Sequence, residues 1–244
     1  MNLLLMISFF SSAALYFVQP SIWSKPLPIA FLTIACLIDY RRTLFEKKKK
    51  RTKYSLLLFF GLLNSMVGDI FLWCSDHDSF PLRLTPGDSF NVGLVAFFIA
   101  HLFYIRAFYK KSTSAWEKSS VMKVVGCVVL SYYAIMMRII LPIVEHKLIG
   151  PVAGYGVAIS LMMYHAIQRF SDIPKDSSIS QSSKLYGLLG SLFFVLSDSV
   201  LAINKFYTKV DNGQTIIMVT YYIGQFLIAC SSQSATAESV KTIN

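Results

Sequence analysis

Charged residues are scarce in this chain: Asp, Glu, Lys and Arg together make up 15% of its 244 residues. In a typical soluble domain the charged fraction is about 25%. Hydrophobic residues make up 55% of the chain, and the mean hydropathy is +0.54. This composition excludes a soluble globular domain and predicts an integral membrane protein.

The sequence also lacks the common signatures of metal and nucleophile chemistry. None of its four cysteines stands in a Cys-x-x-Cys spacing, and no cluster of His and Cys has the spacing of metal ligands. The motifs of serine and cysteine hydrolases, metalloproteases and nucleotide-binding loops are absent as well. We therefore expect no metal and no other cofactor, and we interpret the cysteines as packing residues.

Long apolar runs are abundant instead. A membrane-spanning helix needs about 20 mostly apolar residues, and eight runs qualify, which predicts an all-α polytopic protein with eight transmembrane helices. The second run is short and opens with Pro26 and Pro28, which fit a first helical turn. The first run lacks the basic segment of a signal peptide, so we also predict a helix there. The runs are Asn2–Val18, Pro26–Tyr40, Tyr54–Cys74, Asp88–Tyr109, Val121–Val144, Leu148–Phe170, Lys184–Phe206 and Gly213–Ser232.

The basic residues are divided unequally between the two sides of such a bundle. Of the 23 Lys and Arg, roughly three quarters fall in segments on the side of the N-terminus. The positive-inside rule then predicts that both termini are cytoplasmic. We interpret the run Lys47–Arg51 as a cytoplasmic loop that fixes this topology, and we expect no nucleic-acid partner.

Two aspartates lie inside the apolar runs. Asp69 occurs in LLNSMVGDIFLW and Asp198 in LFFVLSDSVLAI. A carboxylate near the middle of a bilayer costs about 2.5 kcal/mol or more, and such residues are commonly functional. These two acids are therefore the primary candidates for a functional site.

An internal repeat connects the two aspartates. When Asp69 is aligned with Asp198, Gly61 falls on Gly190, and in the helices that follow FFIAHLFY aligns with YYIGQFLI. We predict one membrane domain, 1–244, made of two parallel four-helix repeats, 1–118 and 119–244. The two acids would face each other between the repeats, at depths that differ by roughly 3 Å.

Further polar groups lie within the predicted spans. His101 is followed one turn later by Tyr104, and we interpret it either as a hydrogen-bonded core residue or as a functional group. Tyr221 and Gln225 share one face of the last helix, and Tyr155 lies deep in the sixth.

Polar groups in three other spans have more than one interpretation. Asn64 lies away from Asp69 on its helix and can hydrogen-bond to a neighbouring helix. Lys25 and Arg138 are either interfacial cations or partners for an acid or a lipid phosphate.

Five segments together resemble one known family, the YhhN-like, lysoplasmalogenase family of membrane proteins. They are SKPLP, NSMVGDIFL, FFIAHLFYI, LFFVLSDSVLAINKF and TYYIGQFLIA, and they span nearly the whole chain in the family's order. The resemblance implies a hydrolase, typically of the endoplasmic reticulum, that cleaves the vinyl ether bond of a lysoplasmalogen. The family's polar motif positions fall on Lys25, Asn64, Asp69, His101, Tyr104, Asp198, Asn204, Tyr221 and Gln225.

The implied reaction would use two unlike carboxyl groups. One, protonated, donates a proton to the substrate, while the other stabilises the oxocarbenium-like cation or activates water, as in glycosidases. We expect Asp69 and Asp198 to form this pair, with a lysophospholipid as substrate. The alternatives are a proton-coupled or small-solute transporter, and a lipid-binding or scaffold protein whose acids only fix helix packing.

Overall fold

The structure, a computed structural model, describes residues 2–76, 84–109, 120–171 and 180–232, and the backbone alone for 233–237. In this part of the chain every regular element is helical, which confirms the predicted all-α class. A short π-helix, Ile203–Tyr207, extends α7. The α-helices are α1 (Leu3–Val18), α2 (Leu27–Phe45), α3 (Lys49–Asp76), α4 (Pro86–Phe108), α5 (Ser120–Ile140), α6 (His146–Ser171), α7 (Gln181–Ala202) and α8 (Gly213–Ala237).

Six of these helices, α3 to α8, are long and apolar enough to cross a membrane, counting the π-helical extension with α7. Helix α1 is apolar but has only 16 residues. Helix α2 has 19 residues, but Asp39, Arg41 and Arg42 interrupt its apolar character near the end. The protein is an integral, multi-pass membrane protein. That α1 and α2 also cross the membrane stays a prediction.

The connection between α2 and α3 differs from the predicted loop. Helix α3 begins at Lys49, so most of the basic run forms its first turn. The chain reverses at Lys47, which has a positive φ of 55°. The Glu46 carboxylate then bridges two cations, Lys48 at 2.6 Å and Arg42 at 3.0 Å. The hydrogen bonds from these two cations hold the pKa of Glu46 below its usual value, and the bond from Lys48 has the largest effect.

The chain divides into two compact units, Met1–Tyr104 and Ile105–Asn244. In the first unit α2 packs against both α1 and α3, and in the second α7 packs against α6 and α8 while α5 packs against α6. The predicted repeats 1–118 and 119–244 are not tested by this division and stay a prediction.

One glycine in each unit permits close helix packing, as small residues do in membrane bundles. A Cβ added to Gly61 would lie 2.2 Å from Cε1 of Tyr104, and one added to Gly190 would lie 2.7 Å from Cγ1 of Ile228. Under the alignment above, Gly61 corresponds to Gly190 and Tyr104 to Ile228. Aligned positions therefore make a similar contact in both units, while the repeat itself stays a prediction.

The Gly190 contact gives a test of fold stability. We expect Gly190→Ala to destabilise the protein by about 1–3 kcal/mol, the usual range for overpacking, because its Cβ would also lie 2.8 Å from the Gly224 carbonyl oxygen. Gly154→Ala in α6 is the matched control, since nothing lies within 4 Å of that Cβ. Thermal unfolding of the purified variants in detergent measures the difference, and equal midpoints would contradict this account of the packing.

Candidate functional site

Asp69 lies on the buried face of α3 in the first unit, with 2% of its surface exposed. That face is built from small residues, Gly61, Ser65 and Gly68, which recur every three or four positions. The rings of Tyr104 and Phe97 from α4 pack directly on Gly61 and Gly68. The glycines thus bring the α4 backbone close to the helix face that carries the acid.

His101 and Tyr104 belong to this same packed region. Both are fully buried, and their rings meet edge-on with centroids 6.4 Å apart. The Tyr104 hydroxyl lies 3.5 Å from the Ser65 hydroxyl, one helical turn before Asp69. His101 and Tyr104 of α4 therefore lie at the level of the α3 segment that carries Asp69.

Lys25 is also buried, with 6% of its surface exposed. It ends a short turn before α2, where Ser21 and Ser24 exchange backbone-to-hydroxyl hydrogen bonds of 2.8 and 3.0 Å. The turn leads directly into α2. Whether Lys25 is an interfacial cation or a partner for an acid or a lipid phosphate stays a prediction.

The Asn64 side chain binds within its own helix. Its Nδ2 donates to the carbonyl oxygen of Phe60 at 2.8 Å. The sequence suggested a hydrogen bond to a neighbouring helix. The amide nitrogen instead binds a carbonyl oxygen one turn back along α3. An amide can satisfy a helix carbonyl in this way without any partner outside the helix.

Asp198 in the second unit is half-buried and has a different environment. The Tyr155 hydroxyl of α6 donates to Oδ2 of Asp198. The next residue, Ser199, shares a hydrogen bond with the Tyr132 hydroxyl of α5. Two tyrosines from two helices therefore converge on consecutive residues of α7.

Tyr132 was not among the predicted residues, although Tyr155 was. The sequence offers Tyr132 and Tyr133 side by side in an apolar helix, and nothing local distinguishes them. Their helix positions differ by about 100°, so only the packing decides which hydroxyl reaches α7. Tyr133 instead makes a long contact, 3.5 Å, with the Ala153 carbonyl oxygen.

The remaining predicted residues are distributed over the second unit. Tyr221 and Gln225 are buried on α8, and the Tyr221 ring meets Phe194 edge-on with centroids 5.6 Å apart. Asn204 lies in the π-helix, where its Oδ1 accepts from the Val210 amide at 3.0 Å and orders the connection to α8. Arg138 is exposed near the end of α5. Tyr221 and Gln225 thus contribute to the α7–α8 packing, whereas the Asn204 side chain stabilises the turn between the π-helix and α8.

The YhhN family model matches residues 21–232 of the chain. This protein belongs to the YhhN family. The matched range contains every site residue predicted from the sequence, including both aspartates, and it begins after α1. No solved structure matches the chain.

Curated relatives of this YhhN-family protein carry the name lysoplasmalogenase. Human lysoplasmalogenase TMEM86A is 28% identical over 175 residues, 72% of this chain and 64% of the relative. Pig lysoplasmalogenase TMEM86B is 28% identical over 233 residues, 93% of this chain and 85% of the relative. Human TMEM86B is 28% identical over 182 residues, 73% of this chain and 64% of its own length. The chain thus spans about two thirds of the length of the human relatives.

The Tyr155 hydrogen bond can be tested independently of activity. We expect Tyr155→Phe to lower the free energy of unfolding by about 1–3 kcal/mol, because a carboxylate within the bundle loses its donor. Tyr133→Phe is the control and should cost less, since its contact is at the limit of hydrogen-bond length. Chemical denaturation in detergent compares the two variants. If Tyr133→Phe lowers the free energy of unfolding as much as Tyr155→Phe does, Tyr155 has no special role.

Proposed function

We propose that this protein is a membrane hydrolase that cleaves the vinyl ether bond of lysoplasmalogens. The products are a fatty aldehyde and glycerophosphocholine or glycerophosphoethanolamine. The observation that carries this proposal is the family match over residues 21–232, which includes both intramembrane aspartates. Relatives named lysoplasmalogenase align with as much as 93% of the chain, and this alignment supports the substrate class.

The proposed reaction consumes one water and needs no redox change. A carboxylic acid protonates the β-carbon of the vinyl ether, which leaves an oxocarbenium-like cation on the ether side. Water adds to that cation and loses a proton, and the resulting hemiacetal breaks its carbon–oxygen bond to the glycerol. Acid catalysis of this kind needs one carboxyl group that holds its proton and one negative charge near the cation.

Asp69 and Asp198 suit these two tasks because their surroundings differ. Asp69 is almost fully buried beside glycines and aromatic rings, whereas Asp198 is half-buried and accepts a hydrogen bond from Tyr155. Unlike environments are what allow two carboxyl groups to hold different protonation states at one pH. Both acids therefore take a catalytic role, one as the proton donor and the other as the negative charge near the cation.

The other polar groups have supporting roles in this proposal. His101 or Tyr104 orients the attacking water or the Asp69 carboxyl group, and Tyr155 orients Asp198. Lys25 or Arg138 binds the lipid phosphate. Tyr221, Gln225, Asn64 and Asn204 hold the helices and the α7–α8 connection that position the acids. We also propose an endoplasmic reticulum location with both termini cytoplasmic.

Replacing each acid by its amide tests the mechanism. We expect Asp69→Asn and Asp198→Asn each to lower aldehyde release from a lysoplasmalogen by about 10²-fold or more, the usual contribution of a general acid or base. Asp39→Asn in α2 is the control, because Asp39 is buried, as Asp69 is, but binds Ser55 and lies outside the proposed site. A coupled aldehyde assay on folded, purified protein gives the rates. Near-wild-type turnover of either site variant would refute the two-acid mechanism.

A proton-coupled or small-solute transporter is the second candidate. The observations that favour it are the intramembrane acids and the matching glycine contacts of the two units, since repeated bundles with buried acids are common among carriers. Proteoliposomes loaded with lysophospholipid or small solutes separate the two functions. A carrier moves the solute intact, whereas the hydrolase leaves new aldehyde and depletes its substrate.

A further inference from the structure

Three consecutive residues of α7 each bind a different helix of the second unit, and the proposed catalytic acid is the middle one. The side chains of neighbouring helical residues point about 100° apart, so these links hold α7 from three directions. The links are Ser197 to the Ile217 carbonyl oxygen of α8 at 3.0 Å, Asp198 to the Tyr155 hydroxyl of α6, and Ser199 to the Tyr132 hydroxyl of α5.

The direction of the bond between Tyr132 and Ser199 follows from the number of protons. A serine hydroxyl carries a single proton, and Ser199 donates it to the Val195 carbonyl oxygen of its own helix at 2.5 Å. The Ser199 oxygen therefore accepts its second bond from the Tyr132 hydroxyl. Tyr132 is thus the donor that ties α5 to α7 directly beside the acid.

The first acid, Asp69, has no serines beside it. When the two acids are aligned, Gly68 corresponds to Ser197 and Ile70 to Ser199. Glycine and isoleucine have no polar side-chain atom, yet α3 holds Asp69 with only 2% of its surface exposed. The serine links at the second acid therefore do more than allow a carboxyl group into an apolar helix.

We propose that Ser197, Ser199 and Tyr132 are positioning residues for Asp198. The inference rests on the proposed function for the reaction that the acid serves. A group that acts on a developing cation has to be held in place before the reaction, and a displacement of about 1 Å can cost about 10²-fold in rate. Tyr155 binds the carboxylate itself, whereas the other three links fix the rotation and depth of the α7 segment that carries it.

A kinetic test removes the links one at a time. We expect Tyr132→Phe, Ser199→Ala and Ser197→Ala each to lower kcat for aldehyde release about tenfold, because the acid is displaced from the reacting atoms. KM should change less than about twofold, since the links act on the acid and not on the affinity for the lipid. The double variant of Tyr132 and Ser199 should be no slower than the slower single variant, because both changes remove the same bond.

Two control variants remove a hydroxyl elsewhere on the same helices. Ser191 is a fully buried serine of α7 that donates to the Gly187 carbonyl oxygen of its own helix at 2.8 Å. Tyr133 is the neighbour of Tyr132 on α5 and makes only the long contact described above. We expect Ser191→Ala and Tyr133→Phe to keep kcat near the wild-type value. An equal fall in either control would overturn the proposal, because any lost hydroxyl would then suffice.

A spectroscopic test measures the position of the acid without using catalysis. The protein in nanodiscs carries aspartate labelled with ¹³C in its side-chain carboxyl group, and the Asp198 resonance is the one that disappears in Asp198→Asn. We expect this resonance to shift or split in Tyr132→Phe and Ser199→Ala, because the carboxylate then takes a different or a second position. It should stay unchanged in Ser191→Ala.

The outcomes separate positioning from the proposed function. A resonance that moves in Tyr132→Phe, in a protein whose wild type releases no aldehyde, would support the positioning of Asp198 and refute the hydrolase. Aldehyde release by the wild type, with an unchanged resonance in both Tyr132→Phe and Ser199→Ala, would refute the positioning alone. A rise in KM without a fall in kcat would also overturn it. Because these two variants remove one bond from opposite ends, a single folded variant decides the test.

Discussion

The bilayer interior offers no water, so a polar group placed there needs a partner within the protein. This constraint governs the described structure more than any other. An unpaired polar group in an apolar medium costs several kcal/mol, and the helices of this protein carry carboxyl, hydroxyl, amide and guanidinium groups. The helices must therefore approach closely enough for these groups to meet, and the small residues at their contacts make that approach possible.

The described pairs follow from that requirement. Tyr155 satisfies Asp198, Tyr132 satisfies Ser199, and Ser55 of α3 donates to Asp39 of α2. At another position in the second unit the Arg169 guanidinium donates to the Ser183 hydroxyl at 3.0 Å, which in turn donates to the Ser231 carbonyl oxygen. The same guanidinium lies 5.7 Å from the Phe108 ring centroid. Each pair links different helices, so polar groups that oppose membrane burial also determine which helices pack together.

The elements of the fold were predictable because length and hydropathy limit what a spanning segment can be. Eight apolar runs predicted eight helices, and most ends agree within a few residues. Two of the differences have local causes. Helix α3 begins five residues early because lysine and arginine are good helix formers once the chain has reversed at Lys47. The α7 end becomes a π-helix where the Asn204 side chain binds the following turn.

The sequence by itself determined the helical class, the membrane environment, the family resemblance and the presence of two acids in apolar helices, because these depend on composition and on the order of motifs. Only the tertiary structure decided that the Tyr155 hydroxyl reaches Asp198 and that the hydroxyl of Tyr132, not of Tyr133, binds α7. It also decided that the Asn204 side chain stabilises a turn. A side chain's partner depends on the rotation of its helix and on the neighbour that packs there. Those two quantities are set by contacts between residues far apart in sequence, and no local pattern records them.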